Sequence, residues 1–149
     1  MRIAFVSTYP PRRCGVATFT ADLMGAVREA DTRTQCRVAA IDERNSVRAY
    51  GSEVRWRIKQ GRAMPYRAAA REIDRSNADV VCVQHEFGLY GLWKGGGFAG
   101  DHWIEGMYED HLTPFLEELK KPAAGGCPQC PTWILLGEAC RGVEQFLVG

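Results

Sequence analysis

The sequence predicts an α/β fold in which a mostly parallel, Rossmann-like sheet is flanked by helices. Short apolar runs typical of buried strands alternate along the chain with segments whose apolar residues recur at helical spacing. The resulting order, β-α-β-β-α-β-α, is the one that parallel strands joined by right-handed crossovers require. With 149 residues, of which 46% are hydrophobic and 25% charged, the chain can build one domain with a real core.

The first half of the pattern contains two buried strands and a helix. Residues 2–8 form a short apolar run that ends in Ser-Thr-Tyr-Pro-Pro, which predicts a strand leading into a turn. Residues 35–41 predict a second strand, which ends at Asp42. The helix between them is predicted from an apolar stripe that consists of Phe19, Leu23, Ala26, Val27 and Ala30.

The next strand is predicted at an edge of the sheet, because its residues alternate strictly. Apolar side chains (Val54, Trp56 and Ile58) are expected on one face and basic ones (Arg55, Arg57 and Lys59) on the other. A helix beginning at Pro65 is predicted from the stripe of Tyr66, Ala69, Ala70 and Ile73. Residues 79–84 are the clearest buried strand of the chain.

A third amphipathic pattern follows a glycine-rich loop at residues 95–100. Its apolar positions are Ile104, Tyr108, Leu112, Phe115, Leu116 and Leu119. Pro114 lies inside this pattern, which predicts either a kink or a fresh helix start capped by Thr113.

Composition and charge exclude several classes of protein. The net charge of +1 gives no electrostatic case for nucleic acid or an anionic membrane, and the arginines alternate with apolar positions instead of forming a block. The sequence contains no run of 18 or more apolar residues, so it predicts no transmembrane helix. The apolar stretch after Arg2 is too short for a signal peptide. The expected location is therefore cytoplasmic, where Cys14, Cys36 and Cys82, each isolated in its segment, are expected as free thiols.

Two loops are predicted at the carboxyl ends of strands, where parallel sheets bind ligands. The first, residues 9–18, leads into a helix N-terminus, whose free N–H groups and dipole favour an anion. Gly15 either lets a ligand approach the backbone or simply makes the turn. Arg12 or Arg13 could add positive charge to a phosphate site.

The second loop, residues 85–100, begins with His85 and Glu86. The imidazole can hydrogen-bond a sugar hydroxyl or a phosphate, and the carboxylate can orient a group or accept a proton. Alternatively, the two side chains form a pair that stabilises a turn, with Phe87 and Tyr90 packed beneath it.

Taken together, residues 2–23 and 79–91 closely resemble the family 4 glycosyltransferases of the GT-B fold. Residues 110–122 look like the helix that precedes the fifth strand of that family. The family has two Rossmann-like domains facing across a cleft. The N-terminal domain mainly receives the acceptor, and the C-terminal domain binds the sugar nucleotide.

The resemblance implies transfer of a sugar from a nucleotide-sugar donor to an acceptor, with retention of configuration and no bound metal. Cys14 and Gly15 match the loop that approaches the donor phosphates, where Arg13 would add charge. His85 matches the polar residue that faces the cleft near the transferred sugar, so it is the expected catalytic residue. Glu86 and Gly88 belong to the same motif and are expected to shape the substrate-binding loop.

The resemblance covers residues 1–122, an incomplete GT-B N-terminal domain, and residues 123–149 form an atypical tail. The buried fifth strand that the family places after Pro122 is expected to be absent, which suggests a truncated or frameshifted reading frame. Such a fragment, without the donor-binding domain, is expected to be inactive alone, and its unpaired sheet edge to be prone to association.

Two other functions stay open. A non-catalytic module that binds a sugar or a nucleotide would use the same loops. A small zinc-binding protein would use the CxxC pair Cys127 and Cys130, near which Cys140 is a third thiol.

Overall fold

The computed structural model of the chain describes residues 1–85, 89–90, 113–119, 133–138 and 146–148. The strands are β1 (Arg2–Ser7), β2 (Gln35–Asp42), β3 (Val54–Lys59), β4 (Val80–His85), β5 (Trp133–Glu138) and β6 (Phe146–Val148). The helices are α1 (Gly15–Ala30), α2 (Ala63–Arg75) and α3 (Thr113–Leu119).

The strands form one sheet in the order β3-β2-β1-β4-β5-β6, in which β1 to β5 are parallel and β6 is antiparallel. The predicted α/β fold with a Rossmann-like parallel sheet is confirmed. From the central strand β1, the chain moves outward through β2 to β3 and then crosses back to β4 on the other side of β1.

Two hydrophobic cores lie on opposite faces of this sheet. The face covered by α1 buries Ile3, Phe5, Met24 and Val38. The face covered by α2 buries Val6, Ile41, Ile58 and Val83, together with the predicted helix stripe of Tyr66, Ala69, Ala70 and Ile73. That stripe is confirmed, although α2 begins at Ala63, two residues before Pro65.

The predicted stripe of α1 is confirmed at Leu23 and Val27 and is wrong at Phe19, Ala26 and Ala30, which are exposed. The buried residues are Val16, Ala17, Thr20 and Met24, whereas Phe19 is 44% exposed. Apolarity misled the prediction because the inner face of α1 includes a buried hydroxyl: Thr20 donates to the carbonyl oxygen of Val16 at 2.7 Å. Leu23 and Val27 are partly buried and pack against the core.

The predicted alternation of β3 holds only from Trp56 onward. The register between β2 and β3 shifts where Val38 pairs with Val54 and Ala39 pairs with Trp56, so the extra residue, Arg55, lies in β3. Val54 therefore packs on the face covered by α1, while Trp56 and Ile58 lie on the face covered by α2. A bulge adds one residue to a strand and so reverses which side chains face each core.

The expectation that the sheet lacks a fifth strand is wrong. Residues of the predicted tail form β5, which pairs in parallel with β4 from Val80 to His85, and β6 follows it. The edge of β4 that was expected to be unpaired is thus covered. The apolar run that forms β5 begins at Trp133, well after the point where the family pattern places a strand.

Helix α3 spans Thr113–Leu119 and contains Pro114, and the residues that would distinguish a kink from a fresh helix start lie outside the described residues. Its Phe115 and Leu119 are buried in the core beside α2. Glu118 accepts a hydrogen bond of 2.8 Å from Arg71 of α2. Ile104, Tyr108 and Leu112 lie outside the described residues. Among the helices that the structure describes, none is long and apolar enough to cross a membrane.

Candidate ligand-binding site

The two loops predicted to carry function start from adjacent strands. Ser7 ends β1 and His85 ends β4, and these strands pair in parallel from Ile3 to Val6. The connections that leave their carboxyl ends run to opposite sides, since β1 leads toward β2 and β4 leads away from it. Such a switch point opens a crevice at the carboxyl edge, where α/β sheets bind ligands. Glu86 and Gly88 lie outside the described residues.

The N-terminus of α1 lies at this edge and carries no side-chain cap. Cys14 is the N-cap residue, with an extended backbone, and makes no capping hydrogen bond. Its thiol instead lies 3.2 Å from the hydroxyl of Thr8. The N–H groups of a first helical turn have no partner within the helix and attract an anion.

Gly15, the first residue of α1, is not required by its surroundings. A Cβ atom placed there would meet no atom of the described residues within 4 Å. Its φ lies outside the left-handed region, which among the described glycines is occupied by Gly61. Neither packing nor backbone conformation explains a glycine at this position.

The two arginines of the first loop, Arg12 and Arg13, differ in their contacts. Arg12 donates to the carbonyl oxygen of Ile41 at 3.2 Å and pairs with Glu43 at 3.3 Å, so it connects the loop to the end of β2. Arg13 is exposed and makes no hydrogen bond or ion pair with the described residues. Of the two, Arg13 is the cation available to a ligand.

Buried hydroxyls fix the start of α1 against the end of β1. The hydroxyl oxygens of Ser7 and Thr20 lie 2.7 Å apart, and both residues are fully buried. The Thr20 hydroxyl also bonds the Val16 carbonyl, so the polar groups beneath the helix start satisfy one another. The N-terminus of α1 is therefore held in position before any ligand arrives.

The first half of the second loop is anchored by Leu89 and Tyr90, which were not predicted as site residues from the sequence. The Tyr90 hydroxyl lies 2.8 Å from the carbonyl oxygen of Gln84 and 3.1 Å from that of Val6, and so bridges β4 and β1. The carbonyl oxygen of Leu89 accepts from Tyr66 at 2.8 Å. Burial raises the pKa of the Tyr90 hydroxyl well above its ordinary value, so it remains a donor. Tyr90 is buried, but Glu86 and Phe87 lie outside the described residues, so the turn-stabilising interpretation of this loop stays a prediction.

A second polar cluster at the carboxyl edge, the Asp42 network, was not predicted from the sequence. It consists of Asp42, Glu43, Arg12, Arg48, Tyr50, Arg57 and Lys59. The fully buried carboxylate of Asp42 accepts from Tyr50 at 2.6 Å and from Arg57 at 2.7 Å. Burial alone would raise the pKa of Asp42, but these hydrogen bonds and the charges of Arg57 and Lys59 outweigh it, and the pKa lies below its ordinary value.

The other members of the Asp42 network are also partnered. Glu43 pairs with Arg48 at 2.5 Å, in addition to Arg12. Lys59 donates to the carbonyl oxygen of Ser46, which connects β3 to the segment that follows β2. The sequence signal was an aspartate at the end of a buried strand, followed at 48, 57 and 59 by basic residues.

In the part of the chain that the structure describes, no group of three or more His, Cys, Asp or Glu side chains could hold a metal ion. Cys14, Cys36 and Cys82 are free thiols. Cys127, Cys130 and Cys140 lie outside the described residues, so the zinc hypothesis stays a prediction.

The chain matches no family model, no curated protein and no solved structure.

Proposed function

We propose that the chain is the N-terminal, acceptor-side domain of a nucleotide-sugar-dependent glycosyltransferase, and that an anionic group of its ligand binds at the N-terminus of α1. The observation that carries this proposal is the uncapped N-terminus of α1 at the switch point, where Gly15 leaves the backbone open. No described atom lies within 4 Å of a Cβ atom at this position, and its backbone conformation does not favour glycine. Because Gly15 has no Cβ atom, a ligand group can approach the N–H groups of this uncapped first turn, whereas Gly25 lies further along the helix.

The chemistry of the crevice suits a sugar nucleotide or a sugar acceptor. Departure of a nucleotide leaves negative charge on a phosphate, and preorganised N–H donors stabilise such charge without having to reorganise. The uncapped first turn of α1 supplies those donors, and Arg13 supplies a free positive charge beside them.

His85 is proposed as the residue beside the transferred sugar. It ends β4, the strand on the far side of the switch point from α1. A polar residue at the carboxyl end of such a strand is placed at the crevice in which α/β sheets bind ligands. This role is carried by the resemblance and supported by the adjacency of the two loops.

On this proposal, the 149 residues alone bind ligand but do not transfer the sugar. The charge of the departing nucleotide would be met here only by the start of α1 and by Arg13, and removing one preorganised donor from such a site typically costs about a hundredfold or more in rate. Binding without turnover is also what a non-catalytic sugar- or nucleotide-binding module would show.

Replacement of Gly15 by alanine tests the proposal. Wild type, Gly15→Ala and Gly25→Ala are titrated with UDP-glucose and GDP-mannose as probes by isothermal calorimetry. Gly25 is the matched control because it lies in the same helix, and a Cβ there also meets nothing within 4 Å. We expect Gly15→Ala to weaken binding of the preferred probe by at least about tenfold, with Gly25→Ala within about twofold.

Stability measured on the same samples separates a blocked site from a damaged fold. Neither alanine meets a described neighbour, so both variants should be at least as stable as wild type, and Gly25→Ala should gain about 0.5–1 kcal/mol. Absence of saturable binding by wild type at millimolar probe, or equal binding by Gly15→Ala, overturns the proposal. Radiolabelled transfer by this chain alone would contradict its expected inactivity.

A further inference from the structure

A cavity of about 160 Å³ lies at the amino ends of β1, β2 and β3, at the opposite edge of the sheet from the candidate ligand-binding site. Its lining includes Arg2, Arg37, Arg55, Trp56 and Ser76. Strands of six to eight residues separate the two edges by roughly 20 Å or more. We refer to this feature as the amino-edge cavity.

The cavity exists because α2 stops short of the end of the sheet. The helix ends at Arg75, and Ser76 leads the chain back toward β4. Arg37 pairs with Ala4 across β2 and β1, so both side chains lie on the face that α2 covers. Ala4 is small, and it forms a low floor between the longer side chains.

The charges around the cavity are not balanced. Arg2 bonds to Asp79 at 3.3 Å through its guanidinium. Arg37 and Arg55 are exposed and have no hydrogen bond or ion pair with any described residue. Three arginines thus line one small cavity, and only Arg2 among them pairs with a described carboxylate, whereas the two carboxylates and four cations of the Asp42 network are all paired.

We propose that the amino-edge cavity binds the phosphate group of a small phosphate monoester. A guanidinium presents paired N–H donors that match phosphate oxygens, and three positive charges favour a dianion over a singly charged carboxylate. This proposal does not depend on the proposed function, because it uses residues at the other edge of the sheet.

The uncharged walls fit the organic part of such an ester. Trp56 is partly buried and offers an aromatic surface on which a planar group can stack. The Ser76 hydroxyl donates to the carbonyl oxygen of Ile73 at 2.6 Å, which leaves its own lone pairs free to accept from a ligand hydroxyl.

Titration with AMP, inorganic phosphate and adenosine tests the proposal. Isothermal calorimetry and the indole N–H resonance of Trp56, assigned by its disappearance in Trp56→Phe, report binding to wild type. We expect AMP to bind more tightly than phosphate, and adenosine to bind at least about tenfold more weakly than AMP, because it lacks the phosphate.

The double variant Arg37→Gln/Arg55→Gln should lose AMP affinity by at least about tenfold. Its control is Arg44→Gln, which removes one exposed arginine after the end of β2, and which should change AMP affinity by less than about twofold. All three side chains are exposed, so these variants are expected to fold. Adenosine binding as tightly as AMP, equal losses in the double variant and the control, or no saturable AMP binding at millimolar concentration overturns the proposal.

Discussion

The Asp42 network and the loop between β1 and α1 lie at the same edge of the same sheet, but they differ in whether their polar groups have partners within the protein. In the Asp42 network, the buried carboxylate has a tyrosine hydroxyl and three cations around it. In the loop, the first turn of α1 has no side-chain cap, and Arg13 has no partner among the described residues.

The difference shows that, along one edge of the sheet, some polar groups contribute to the stability of the fold and others are available to bind a ligand. A polar group with its partners in place stabilises the fold and has little left to offer a ligand. A positioned group without a partner adds little to stability but can gain a full hydrogen bond when a ligand arrives. Arg12 belongs to the first region and Arg13 to the second, although they are neighbours in the sequence.

The largest effect is expected from Asp42→Asn, which removes the central charge of the Asp42 network. The amide keeps the shape but leaves Arg48, Arg57 and Lys59 facing one another without their shared counter-charge. We expect the free energy of unfolding to fall by about 2–3 kcal/mol, at the low end for a broken buried pair because Arg57 and Lys59 are roughly two-fifths exposed.

Urea denaturation measures this loss, and Asp22→Asn is the control. Asp22 is exposed on α1 and makes no hydrogen bond or ion pair with a described residue, so its replacement should change stability by less than about 0.5 kcal/mol. Similar unfolding midpoints for the two variants would show that the Asp42 network does not stabilise the fold.

The same carboxylate predicts how stability depends on pH. The pKa of Asp42 is lower in the folded chain than its ordinary value near 3.8, so in acid the unfolded chain takes up the proton first. Its contribution is therefore complete well above pH 3.8 and is lost as the pH falls through the folded-state pKa. We expect urea midpoints to drop less steeply between pH 5 and pH 3 in Asp42→Asn than in wild type. Parallel curves would contradict this.

Most of the fold could be predicted from the sequence because apolar periodicity reflects burial directly. Helix α2 shows this well, since its four stripe residues are the four that it buries. Predictions of buried side chains from this periodicity failed where a polar residue is buried or where an extra residue interrupts the alternation of a strand. Thr20 is buried through hydrogen bonds, and β3 has an extra residue between Val54 and Trp56 that the alternation of its side chains does not reveal.

The candidate site was predictable only in part, for a similar reason. A strand followed by a loop and a helix points to the carboxyl edge, so the two loops could be found. The contacts of Asp42 could not, because the hydrogen bonds from Arg57 join residues 15 positions apart through a sheet register that the sequence does not state. Nor could sequence separate Arg12 from Arg13, whose roles depend on where Ile41 and Glu43 lie in space.

The smallest effects, and the sharpest test of the comparison, come from these two arginines. Arg12→Gln loses the ion pair with Glu43 and the bond to the Ile41 carbonyl, and we expect it to cost about 1 kcal/mol in stability. Arg13→Gln should change stability by less than about 0.5 kcal/mol.

Nucleotide-sugar binding should reverse that order. Arg13→Gln removes the free charge beside α1 and is expected to weaken binding about three- to tenfold, while Arg12→Gln, measured where it is fully folded, should weaken it less. Urea denaturation and calorimetry on the same preparations give both quantities. If the same variant shows the larger loss of stability and also the larger loss of affinity, the first turn of α1 and the Asp42 network act as one unit. The two regions then do not have the separate roles proposed for them.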